Sequence, residues 1–125
     1  MRGRLALWAP VAVYMALVFY ASSRSDLPAM STGVSDKVEH ALLYCGLGAL
    51  LFRALAGGLR RRVTISAAVM AVVIASLYGA SDEFHQHFVP DRTMDGYDLL
   101  ADTAGAAAAA AALYAWGIIR ARNGP

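Results

Sequence analysis

Apolar residues in this chain gather into four long blocks, with no alternation at period two and almost no polar stripe at period 3.6. The first block covers residues 5–21 without a charge, behind Arg2 and Arg4. The third, 63–81, and the fourth, 99–119, are each close to the ~20 residues that a membrane-spanning helix needs. The second is shorter. Only residues 41–52 are free of charge, and span length is reached over 38–56, with Arg53 snorkelling at one end and Glu39 and His40 at the other. The pattern predicts an all-α polytopic membrane protein: one domain over residues 1–125, with four transmembrane helices at about 5–21, 38–56, 63–81 and 99–119. A basic start before an apolar run is also the signature of a cleaved signal peptide. This run is long for such a core, keeps the bulky Tyr14, Phe19 and Tyr20, and has no convincing small-x-small cleavage site, so it reads as a retained helix.

Composition sharpens this picture. Hydrophobic residues make up 58% of the 125 and charged residues 16%, against about a quarter in soluble domains. A soluble helical bundle would need a polar face on each helix, and a disordered chain would need far fewer apolar residues. The distribution of charge then predicts orientation. Arg2 and Arg4, Arg53 with Arg60, Arg61 and Arg62, and Arg120 with Arg122 fall on one side of a four-span chain, eight of the eleven basic residues. Only Arg24, Lys37 and Arg92 fall on the other. Lys/Arg excess marks the cytoplasmic face, so both termini are expected inside. The arginine run at 60–62 reads as this topology signal, and no nucleic-acid partner is expected.

All nine acidic residues and all three histidines fall on the opposite, outer side, although Asp and Glu contribute little to the orientation rule. The titratable chemistry is thus gathered at one face. The lone Cys45 lies inside the second helix without a disulfide partner and reads as packing. The alanine-rich stretch 104–112 reads as a smooth helix face allowing close backbone approach, as do Gly46, Gly48 and Gly79.

Two outer segments carry candidate chemistry. In the first, Asp36, His40 and Tyr44 are spaced i, i+4, i+8 along one helix face, with Lys37 beside them and Ser35 or Asp36 as the cap. In the second, residues 82–98 lead from the third helix into the fourth. If the third helix continues past Ser81, Glu83, Gln86 and His87 share a face, and Pro90 stops it. Thr93 is the expected cap of the fourth helix, with Asp95 in its first turn. Asp95, Asp98, Asp102 and Gly105 then form a stripe descending into the membrane. Asp102 lies about one turn below Asp98 and about 27 Å of helix from Arg120, where an ionisable side chain must face a partner. Arg92 is the only cation in this loop. It either pins the loop to a carboxylate as a bidentate lock or receives an anionic headgroup.

Metal and cofactor sites are not expected. His85 and His87, two apart on a helix, point to different faces, and no HExxH or CxxC spacing is present. His40 with Glu83 and Asp98 would form a better ligand set if the segments meet. Neither a glycine-rich phosphate loop nor a Ser/His/Asp nucleophile signature is present.

Taken together, Asp36-Lys37-x-x-His40-x-x-x-Tyr44, then Glu83-x-x-Gln86-x-x-x-Pro90-x-Arg92, then Asp98 and Gly105, resemble the VanZ-like family of small bacterial membrane proteins. The resemblance runs from Asp36 to the end of the fourth helix. Each motif alone is weak, and the ordered set is fairly specific. The family is named for a protein of glycopeptide-resistance clusters associated with low-level teicoplanin resistance, which implies a role in the cell envelope without assigning a reaction. The chain departs from the family pattern at Asp102, where asparagine is more usual, and at Asp91, where glycine is common.

The leading expectation is a binding protein for a polar or anionic envelope ligand, a lipid-linked cell-wall precursor among them, in contact with membrane lipids. Its expected site comprises Asp36, Lys37, His40, Tyr44, Glu83, Gln86, Arg92, Asp98 and Asp102. The alternative is a membrane-surface enzyme with Glu83 or Asp98 as general acid/base and His40 as partner. A third reading makes the cluster a purely structural lock. A proton-coupled carrier ranks last, because charges at one face give no relay across the membrane.

Overall fold

The computed structural model describes residues 2–25, 35–59 and 63–124. It contains four helices: α1 (Arg2–Ser22), α2 (Asp36–Leu55), α3 (Ile65–Gln86) and α4 (Gly96–Asn123), with no strand among the described residues. All four are long and apolar enough to cross a membrane. The second block, the weakest by pattern, is a full helix of 20 residues.

Boundaries differ from the sequence expectation wherever polar residues turn out to be buried. α3 runs past Ser81 to Gln86, because Asp82, Glu83 and Gln86 face inward. α4 begins at Gly96 and not near residue 99, and its cap is Asp95, which accepts the Tyr97 N–H at 2.8 Å. Thr93 is not the cap, so Asp95 lies outside the first turn. Ser35 caps α2, accepting the Lys37 N–H. At its other end α2 stops at a glycine pair with positive φ, 70° at Gly57 and 105° at Gly58, which lets their N–H groups reach back to Ala54 and Arg53 carbonyls. The arginines at 60–62 and Asp26 lie outside the described residues.

α2 and α3 occupy the centre, touching each other and both remaining helices, while α1 and α4 lie on opposite flanks without contact between their described residues. Tyr44, Leu47, Leu51, Phe52, Ala71, Ala75, Ala106 and Ala110 form the core, with Val11 and Val18 from α1. Large apolar side chains instead cover the outside, including Leu17, Leu42, Leu77, Leu100 and Ile119. This is the arrangement that a lipid solvent requires, since hydrocarbon does not drive such side chains inward.

The closest approach is between α2 and α4. A Cβ added at Gly48 would sit 2.7 Å from the Ala106 Cα, and one at Gly105 would sit 2.0 Å from the Ala41 carbonyl oxygen. Two glycines facing alanines let the two backbones nearly touch. That contact decides where the polar ends of α2 and α4 meet.

Candidate functional site

The first turns of α2 and α4 and the last turn of α3 lie at the same end of the bundle, and the polar side chains converge there. Asp82, Glu83, Gln86, Asp98 and Asp102 are all buried, Asp102 at 1% exposure. Four buried carboxylates on two helices require partners, because an isolated charge in an apolar interior is prohibitively costly.

α2 supplies most of them. The Lys37 Nζ donates to Asp95 at 2.6 Å, to Asp36 at 3.3 Å and also to Asp98. One turn further on, the His40 ring stands between two carboxylates of α4. Its Nδ1 is 2.8 Å from the Asp102 Oδ1, and its Nε2 is 3.6 Å from the Asp98 Oδ2. The i, i+4 spacing of Asp98 and Asp102 makes this bridging possible, since it stacks them on one helix face. Outside the spanning segments, the Lys37 ammonium together with the Tyr97 N–H holds the Asp95 carboxyl below its ordinary range.

The remaining acids are met differently. Asp82 accepts the Ser22 hydroxyl at the end of α1 and a hydrogen bond from Gln86. Glu83 Oε2 accepts the Asp95 N–H at 3.0 Å, tying α3 to the cap of α4. Its Oε1 is buried without a hydrogen-bond partner among the described residues, as is the hydroxyl of Tyr44. Gly79 permits close approach of Asp102 and Tyr44 to α3: a Cβ there would lie 3.0 Å from the Asp102 Oδ2 and 3.3 Å from the Tyr44 Cε1.

The other histidines lie outside this centre. His85 contacts the Ser23 hydroxyl at 3.0 Å and stacks on Phe19 at 4.5 Å, while His87 is exposed. Arg92 is exposed on the α3–α4 loop and donates to the Arg24 carbonyl at 3.2 Å; no described carboxylate pairs with it. It therefore ties the loop to the segment after α1, and the lock to a carboxylate is not seen among the described residues. Two sets of donor atoms lie within 4.8 Å of one another, Asp36–His40–Asp98 and His40–Glu83–Asp102. The trio expected from sequence, His40, Glu83 and Asp98, is divided between them.

Sequence reasoning thus grouped Asp36, Lys37, His40, Tyr44, Glu83, Gln86, Asp98 and Asp102, which the fold brings together, with Arg92, which instead donates to the Arg24 carbonyl. It missed Asp82, Ser22 and Asp95 as members. Asp82 follows directly on a block that ends at Ser81, and the one available signal was its i, i+4 spacing to Gln86. Ser22 carried no signal, because its role depends on where α1 docks.

Fold and site together define a multi-pass membrane protein with a carboxylate–histidine centre at one end of a four-helix bundle. Compared with known families, residues 4–119 match VanZ/LLP1, and the chain belongs to that family. No curated protein and no solved structure matches it.

Proposed function

We propose that this protein sits in the bacterial cytoplasmic membrane with both termini inside, and that its outward-facing polar centre binds the headgroup of an envelope ligand. The helix ends that carry Arg4, Arg53 and Arg120 support this orientation, because Arg53 donates to the Ala6 carbonyl and so gathers basic residues at the end opposite the carboxylates. The observation that carries the binding reading is the pair of buried groups without partners, Glu83 Oε1 and the Tyr44 hydroxyl, within an otherwise paired network. A pure structural lock would satisfy its own members.

The centre also sets which part of a ligand goes where. Lys37 and His40 are engaged by carboxylates, so an anionic group meets Arg92 at the rim. Hydroxyl or amine groups of the same headgroup meet Glu83 and Tyr44. A lipid-linked cell-wall precursor has both kinds of group, a phosphate beside a sugar and peptide. The link to glycopeptide resistance enters this reading through family membership alone. The enzymatic reading keeps one specific observation, the 2.8 Å contact between His40 and Asp102, which is the geometry of a general base oriented by a carboxylate.

Native mass spectrometry of detergent-purified protein tests the proposal. Wild type and Arg120→Ala, altered at the opposite end, are expected to retain the same anionic lipid adduct. Folded Arg92→Ala and Glu83→Gln variants are expected to lose it. Equal lipid content in all four would overturn the proposal.

A further inference from the structure

The polar centre holds more acidic groups than its basic side chains pair with. Asp82, Glu83, Asp98 and Asp102 are each no more than 6% exposed, and the cations that pair with any of them among the described residues are Lys37 and His40. Lys37 is in addition shared with Asp36 and Asp95. Glu83 is 4% exposed, reaches into the centre from α3, and has one oxygen held by the Asp95 N–H and the other by nothing described. A carboxylate brought out of water with a free oxygen toward other donors is what a cation site requires.

We propose that His40, Glu83 and Asp102 hold a divalent cation of the Zn2+ or Mn2+ class. One donor atom from each lies within 4.8 Å of the others. Donors about 2.1 Å from an ion in a tetrahedral shell stand ~3.4 Å apart, so the trio closes on a metal by side-chain shifts of up to about an ångström. The imidazole nitrogen among them favours a transition-type ion over Mg2+ or Ca2+, which prefer all-oxygen shells. His40 Nδ1 is on the Asp102 side, and its Nε2 faces Asp98 at 3.6 Å. Asp98 is thus near the other ring nitrogen, and a closer approach of about half an ångström would give it the second-shell role of orienting a metal-binding histidine. The three ligands come from three different helices, so the ion would also tie α2, α3 and α4 together. Gly79 lets Asp102 and Tyr44 pack close against the α3 backbone, where a Cβ would crowd both at 3.0 and 3.3 Å.

The site goes beyond the headgroup proposal and does not depend on it, since metal is measured on delipidated protein. Tag-free wild type is stripped with EDTA and desalted. Zn2+ and Mn2+ are then titrated with elemental analysis, and Co2+ serves as an optical probe of nitrogen and oxygen ligation. Folded wild type is expected to retain about one equivalent and to show Co2+ ligand-field bands. Glu83→Gln and Asp102→Asn are expected to weaken binding at least ~100-fold, a loss at the upper end of that caused by removing second-shell partners. Asp91→Asn, exposed on the α3–α4 loop and outside the centre, is expected to leave affinity unchanged. Circular dichroism and gel filtration establish that each variant is folded, and Glu83→Gln alone decides if Asp102→Asn fails to fold. The site is overturned by absence of stoichiometric metal in folded wild type, by unaltered binding in Glu83→Gln, or by loss of binding in Asp91→Asn.

Discussion

The α2–α4 contact makes Gly105→Ala a stringent test of how the site is assembled. The new methyl carbon would lie 2.0 Å from the Ala41 carbonyl oxygen, 2.7 Å from its carbon and 2.9 Å from its Cα. All three are backbone atoms, so no side-chain rotation relieves the clash. Reaching an ordinary separation of ~3.5 Å requires the helices to part by more than an ångström. Overpacking of this kind costs about 3 kcal/mol, the upper part of the usual range. Alanine recovers about 1 kcal/mol over glycine in a helix interior. The net loss is about 2 kcal/mol, roughly a thirtyfold fall in the folded-to-unfolded ratio. Because His40 directly precedes Ala41 and Asp102 lies one turn before Gly105, the same movement stretches their 2.8 Å contact. Reversible unfolding in mixed detergent, followed by circular dichroism, reads the loss against Gly96→Ala, where a Cβ meets nothing within 4 Å. Equal midpoints for the two variants would refute the close-approach argument.

Two further outcomes follow from local features. Asp95 has its folded-state pKa lowered from 3.8, first by the Lys37 hydrogen bond. Its contribution to stability is therefore complete above the unfolded-state value and lost as pH falls through the lower folded-state value. Asp95→Asn should show a shallower decline in unfolding midpoint below about pH 4 than wild type does; parallel declines would contradict the assignment. Asp91 follows Pro90 with φ 60°, a left-handed conformation that glycine adopts without strain. Asp91→Gly should leave stability unchanged or raise it by up to ~1 kcal/mol, and Asp91→Val should lower it. The same unfolding assay compares them, and a less stable glycine variant would count against the backbone explanation.

How far the sequence carried the reading depended on whether a signal was local. The four apolar blocks marked the spans because lipid exposure demands apolarity all round, whatever the packing. The stripe Asp98, Asp102 and Gly105 was legible from helical periodicity alone, and all three residues are buried. The end of α3 was not legible. Hydropathy drops at Ser81, yet the helix continues because Ser22 of α1 and the Asp95 N–H at the cap of α4 supply partners for its carboxylates, a fact written in distant segments. The cap of α4 was misplaced for a related reason. Thr93 and Asp95 both suit a cap by residue type, and the Lys37 ammonium reaching Asp95 across 58 residues is tertiary information. Glycine at the position of Asp91 in the family pattern acquires a physical reason only with the backbone angle in hand.

The pairing of α2 with α4 also bears on the order in which the chain is made. Lys37 and His40 are synthesised about sixty residues before Asp98 and Asp102, their partners. Until α4 emerges, Lys37 has Asp36 of its own turn but not Asp95 or Asp98, His40 lacks Asp102, and hydration at the membrane surface is the cheapest alternative. α4 carries the complementary difficulty, with Asp102 set a turn deeper than Asp98. Each helix therefore gains full burial of its polar end only when the other arrives, so the last span to leave the ribosome seats the second one. α1 has no such dependence. Apolar on every side, it is stable in lipid alone and can wait for α3 to bring Tyr78, whose hydroxyl donates to the Met15 carbonyl.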